Sequence, residues 1–145
     1  MKRSEIRTFI KTGVNSLTPT PDYWDGLLTD WNAQRSNTYP GVLLMLEETD
    51  TDITISAPND DFAITLLICN IDKLDSTPDQ YESIVDACDE MAQRLVYKYR
   101  NIISGYKMLS MENVKRKKFV KKYADCLTGV ELTFSLKGQD KTNVC

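Results

Sequence analysis

Residues 77 to 103 constrain the fold more than any other stretch. Thr77-Pro78-Asp79-Gln80 is a helix start written in side chains. Thr77 is a good N-cap, Pro78 suits the first helical position, and Gln80 completes a capping box. Asp79 and Glu82 add negative charge where the helix dipole favours it. Tyr81, Ile84, Val85, Cys88, Met91, Ala92, Leu95, Tyr99, Ile102 and Ile103 then form one apolar stripe at helical spacing, while Asp86, Asp89, Glu90, Gln93 and Arg94 face away. Ser104-Gly105 ends the helix. A helix this long and this one-sided needs a broad apolar surface to cover.

Strand patterns on either side supply that surface. Gly41 to Glu48 reads as a strand, Thr49 to Asp52 as an acidic turn, and Ile53 to Ser56 as a short strand broken by Pro58-Asn59-Asp60-Asp61. Phe62 to Ile71 is apolar on both faces, with Phe62, Ile64, Leu66 and Ile68 on one and Ala63, Leu67 and Cys69 on the other. Such a strand is central and covered on both sides, by its own chain or by a neighbouring subunit. Beyond the helix, Tyr106 to Met111 and Lys115 to Tyr123 read as two strands separated by a turn near Glu112-Asn113. The clearest alternation follows: Val130, Leu132, Phe134 and Leu136 interleave with Glu131, Thr133, Ser135 and Lys137.

At the start, Ser4 caps a helix whose apolar residues are Ile6, Phe9, Ile10, Val14 and Leu17, with Gly13 on the buried stripe. Thr18-Pro19-Thr20-Pro21 stops it. Between Tyr23 and Arg35, Trp24, Leu27, Leu28 and Trp31 recur at helical spacing, so a short second helix is expected, with a compact loop pinned by the two indoles as the alternative. The expected fold is α+β: a mixed, mainly antiparallel sheet of four to six strands, with an N-terminal helix and one long helix packed on one face. Residues 1–138 form a single domain and 139–145 a loose polar tail. The βαβαβ rhythm of a doubly wound nucleotide-binding fold is missing.

Composition narrows the chemistry. With no histidine among 145 residues, Ser-His-Asp and Cys-His arrangements are impossible. No glycine-rich phosphate cradle is present. Cys69, Cys88, Cys126 and Cys145 include no C-x-x-C pair, and they read as free thiols of a protein folded in a reducing compartment, not as a zinc site. Glu47-Glu48-Thr49-Asp50-Thr51-Asp52 and Asn59-Asp60-Asp61 are acidic, but Asp50 and Asp52 lack the glycine and glutamate of a calcium loop, so charged hairpin turns are expected. Neither metal nor cofactor is expected, nor is an enzyme. Ser4 to Leu17 is amphipathic, not a leader, and no run approaches the ~18 apolar residues of a membrane span.

The charges are unevenly distributed. Between Leu43 and Glu90 stand thirteen acidic residues and one lysine; between Arg94 and Lys122 stand ten basic residues and one glutamate. The sharpest local feature is Lys115-Arg116-Lys117-Lys118-Phe119-Val120-Lys121-Lys122, with six cations in eight residues. As a strand running on to Tyr123 it puts Lys115, Lys117, Phe119, Lys121 and Tyr123 on one face and Arg116, Lys118, Val120 and Lys122 on the other. Three readings stay open: a lysine-protected edge strand, a surface for an acidic protein, and a nucleic-acid contact. The net charge of −3 weighs against the last.

The closing segment, with Asp125, Leu127, Gly129, Val130, Leu132, Phe134 and Leu136, resembles the D-x-L-x-G-hydrophobic ending of tailed-phage neck and tail-completion proteins. Tyr39-Pro40 before Val42-Leu43-Leu44 is similar to their Y-P-x-hydrophobic lead into a strand. The resemblance implies a small α+β virion subunit with no catalytic residues, assembled in the host cytoplasm into a homo-oligomeric ring (a hexamer or dodecamer) beside portal, neck or tail proteins. It also implies that Gly129 supplies a tight turn before the last strand. On this reading Glu47, Glu48, Asp50, Asp52, Asp60 and Asp61 lie on one subunit interface, and Lys115, Arg116, Lys117, Lys118, Lys121 and Lys122 on the opposed one. The alternative is a small nucleic-acid-binding module using the Lys115–Lys122 segment.

Overall fold

The computed structural model describes residues 3–26, 41–45, 51–54, 57–103, 108–122 and 126–139. Helix α1 (Arg3–Asn15) leads to strands β1 (Asp22–Gly26), β2 (Gly41–Met45), β3 (Thr51–Thr54) and β4 (Ala57–Ile71). Helix α2 (Pro78–Ile102) follows, then β5 (Met108–Lys122) and β6 (Leu127–Gln139). The fold is α+β, with one open mixed sheet in the order β1-β2-β4-β6-β5 and β3 beside the first half of β4. Only β1 and β2 run parallel; the other described pairings are antiparallel. No described helix is long and apolar enough to cross a membrane.

Both helices pack on one face of the sheet. Ile6, Phe9, Ile10, Val14 and Leu17 from α1 and its exit meet Val85, Cys88, Met91, Leu95 and Tyr99 of α2 over Val42, Leu44, Phe62, Ile64, Leu66, Ile68, Val130, Leu132, Phe134 and Leu136. The period-3.6 stripes and the period-2 strand faces close on the same core. At the start of α2 the Gln80 side chain accepts the Thr77 amide at 2.9 Å, the reach-back that the capping box requires. The other sheet face holds a smaller cluster of Leu43, Leu67, Cys69, Phe119 and Leu127, buried within this chain. That accounts for the two apolar faces of β4.

Several expectations change. Trp24 lies in β1, parallel to β2, and not in a second helix; residues 27–40, including Trp31 and Tyr39-Pro40, lie outside the described residues. Helical spacing of two tryptophans and two leucines is a weak signal once a neighbouring strand offers backbone partners. Pro58-Asn59-Asp60-Asp61 does not break a strand but belongs to β4, whose pairing with β6 begins at Asn59. Pro58 therefore falls where its missing amide costs no bond to β6. The turn expected at Glu112-Asn113 is a bulge within one continuous β5, with Asn113 at φ 55°. Ser4 sits inside α1, its carbonyl accepting the Thr8 hydroxyl, and is not the cap. Strand β6 runs through Gly138 to Gln139, one residue into the expected tail, and 140–145 lie outside the described residues. Ser104-Gly105 and Cys145 also lie outside them.

Two glycines mark close approaches. A Cβ on Gly13 would overlap the Tyr99 ring, and one on Gly129 would meet the Ile68 carbonyl and the Cys69 Cα at 2.7 Å. Gly129 is thus not a turn residue. It sits inside β6, between Cys69 and Phe119, where β4 leaves no room for a side chain. The turn into β6 falls instead at Cys126, at φ 53°. Gly13→Ala should lower unfolding stability in urea by about 1–3 kcal/mol, the cost of overpacking a filled core. Gly129→Ala should cost more, because a strand backbone yields less than a ring; equal or higher stability in either variant would refute this account.

Candidate functional site: the basic edge strand and its acidic helix

Strand β5 ends the sheet on one side, and its basic run lies where α2 slants across the sheet. Register sets the side chains. Arg116 and Lys118 pair with Leu132 and Val130, whose side chains face the helices, so both cations point toward α2. Arg116 meets Asp89 at 2.8 Å and Lys118 meets Glu82 at 2.6 Å. The Glu82 hydrogen bond and charge raise the pKa of the Lys118 ammonium. These pairs are open to solvent, so each adds little stability. They do orient two of the six cations inward against the chain's own acids.

A second bulge, between Phe119 and Lys122, brings Lys121 to the same side at φ 51°. Its ammonium donates to the carbonyls of Leu74 and Ser76 at 2.9 Å each and lies 5.3 Å from the Tyr81 ring centroid. Strand alternation alone places Lys121 with Lys115 and Lys117; the bulge overturns that assignment. Lys115, Lys117 and Lys122 stay exposed, opposite Thr133, Glu131 and Leu127.

Between α2 and β5 lies an open cleft of about 480 Å³. Val85, Val114 and Val130 line it together with Asp86, Asp89, Arg116 and Lys118. Asp89 and Arg116 pair with each other there. Among the described residues no group of three metal-ligating side chains gathers. Cys69 and Cys88 are buried free thiols, both pushed up to about 12 chiefly by burial, which suppresses the reactive thiolate.

The acidic candidates lie elsewhere. Glu47, Glu48 and Asp50 fall outside the described residues. Asp52 is in β3 and Asp60 and Asp61 are in β4; the register sets Asp61 between Asp52 and Lys137, and Asp60 between Ile53 and Gly138. They are strand positions and not a turn. The pair β4–β6 separates β3 from β5, so the acidic and basic candidates are not brought together.

Sequence reading passed over one polar cluster. Asp72, buried at the end of β4, accepts the Thr128 hydroxyl at 2.6 Å and the Lys73 amide at 2.8 Å. Thr128 in turn accepts the Lys121 amide at 3.0 Å, and the Asp72 amide donates to the Cys126 carbonyl at 2.9 Å. The cluster ties the loop before α2 to the β5–β6 turn. Its only sequence signal was a lone acid after an apolar strand. No protein-family model matches the chain, and no curated protein matches it with significance.

Burial raises the Asp72 pKa, but the bonds from Thr128 and Lys73 and the Lys121 charge outweigh it and hold the carboxyl below its ordinary range. A carboxylate depressed in the folded state stabilises above its unfolded pKa of about 3.9, and that contribution disappears as pH falls through the folded value. Asp72→Asn should therefore cost about 1–3 kcal/mol at pH 7. The gap between variant and wild type should narrow in urea titrations below pH 4; a gap independent of pH would remove the charge from the explanation.

Proposed function

We propose that this chain is a ring-forming virion subunit at the head–tail junction of a tailed phage, in a neck, tail-terminator or tail-completion role. It acts by assembly with copies of itself and with portal, neck or tail proteins, and not by catalysis. The observation that carries the reading is the placement of charge: Asp22 and Asp25 on β1 and the basic run on β5 stand at opposite ends of the sheet. Opposed, oppositely charged flanks let one surface of a subunit meet a different surface of the next, as a closed ring demands. The α+β layout of one long helix over a mainly antiparallel sheet agrees with the resemblance in the closing segment. The nucleic-acid alternative is weaker, because Arg116, Lys118 and Lys121 are held by Asp89, Glu82 and backbone carbonyls.

Light scattering on the purified chain at two salt concentrations tests this. A discrete oligomer, several times 16.6 kDa, is expected at low salt, shrinking as salt rises, with annular particles in negative-stain images. A chain that stays monomeric at every concentration would remove self-assembly from the proposal.

A further inference from the structure

The sheet is open, and its two ends differ in charge. Among the described residues no strand pairs with the outer edge of β1 or of β5. The β1 end carries Asp22, Trp24 and Asp25; the β5 end carries Lys115, Arg116, Lys117 and Lys118. Trp24 is 39% exposed, and tryptophan is enriched in protein interfaces.

The pairings also fix the height of each edge. Following register across the sheet, Trp24 is level with Leu43, Leu67, Glu131 and Lys117. In the same way Asp25 is level with Leu44, Leu66, Leu132 and Arg116, and Tyr23 with Val42, Ile68, Val130 and Lys118. Strand direction follows too. Because β1 runs with β2, against β4 and therefore against β5, copies related by rotation about an axis along the strands would bring β1 and β5 together antiparallel.

We infer that β1 of one copy pairs with the Lys115–Phe119 window of β5 in the next, continuing the sheet from subunit to subunit. The inference rests on the ring reading above for its occupant, a second copy of this chain. Level register joins the copies without a step along the axis, the condition for a closed ring and not a filament. Trp24 then faces Lys117, a cation–π pairing on the outer face, and Asp22 lies diagonal to the same lysine. Asp25, already bound by Arg7 at 2.7 Å, faces Arg116, already bound by Asp89. The contact joins two ion pairs into one alternating row of charges. Charge disfavours the two-fold alternative at the basic end, because pairing β5 with β5 sets cations against cations.

Reversing charge on one edge at a time gives the test. Lys115→Glu with Lys117→Glu reverses the β5 edge; Asp22→Lys with Trp24→Lys reverses the β1 edge. These side chains are exposed or half-exposed, and circular dichroism checks that each variant is folded. Each variant alone should fall to the 16.6 kDa monomer mass, and an equimolar mixture should recover the oligomer, because each restores the complement the other lost. As a second measurement, a chain carrying both Trp24→Cys and Lys117→Cys should give a ladder of covalent multimers with a short thiol cross-linker, and neither single variant should. Wild type that assembles while both reversed variants assemble equally well would overturn this edge pairing and leave the ring reading standing. Efficient linking in the Trp24→Cys single variant would point to a two-fold contact and overturn it as well. A wild type that never assembles would overturn the ring reading and this contact together.

Discussion

One buried tyrosine holds the two helices to each other and packs them on the sheet. The Tyr99 ring is fully buried, with its centroid 5.0 Å from that of Phe9 on α1 and 5.8 Å from that of Phe134 on β6. Its hydroxyl donates to the Ile10 carbonyl at 3.0 Å. Left without that acceptor, the hydroxyl would cost about 1–3 kcal/mol, so the position of α1 relative to α2 is specified and not merely favoured. Gly13 makes it possible, since any side chain there would occupy the volume of the ring. Burial, with the nearby Tyr23, pushes the Tyr99 pKa well above its ordinary range and keeps the hydroxyl a donor. With α1 fixed, Arg7 reaches Asp25 and Arg94 reaches the Thr18 carbonyl, which ties the segment leading into β1 to both helices. The position of the sheet's first strand thus depends on a phenol carried by α2.

Much of this architecture was legible in residues. The capping box, the α2 stripe and the alternation of β6 each name one structure because local propensity, period and burial agree there. The stretches read differently are those where a single local signal stood against tertiary pairing. Pro58 suggests a break until β6 is seen to begin its pairing one residue later. Glu112-Asn113 suggests a turn because Asn tolerates positive φ, but a bulge needs the same property and leaves the strand continuous. Gly129 suggests a turn because glycine commonly serves there, whereas its role is steric. The Asp72–Thr128 cluster joins residues 56 apart in sequence, and no spacing rule announces such a pair.

The charge segregation was legible as composition but not as geometry. Acids concentrated before residue 90 and bases after residue 94 suggest two surfaces. In the fold, part of the division closes on itself, because α2 crosses above β5 and sets Glu82 and Asp89 over Lys118 and Arg116. What remains outward is smaller: Lys115, Lys117 and Lys122 on β5, with Lys137 beside Glu112 at 3.4 Å. A charge census therefore overstates the free positive surface, and the correction comes from the helix packing over the strand.

The bulges of β5 decide where that edge remains open. An edge strand of fifteen residues with regular backbone throughout would be an aggregation hazard, and lysines and bulges are the usual protection. Of the three register shifts in β5, the later two hold Asn113 and Lys121 at positive φ, a conformation that costs a non-glycine residue about 1–2 kcal/mol. At Lys121 that strain is offset by two carbonyl bonds and by the Thr128 hydroxyl. Between the bulges lies Lys115–Phe119, five residues of unbroken register against β6. A strand of about that length can pair along this window in unbroken register. The opposite edge of the same sheet, β1, is five residues long.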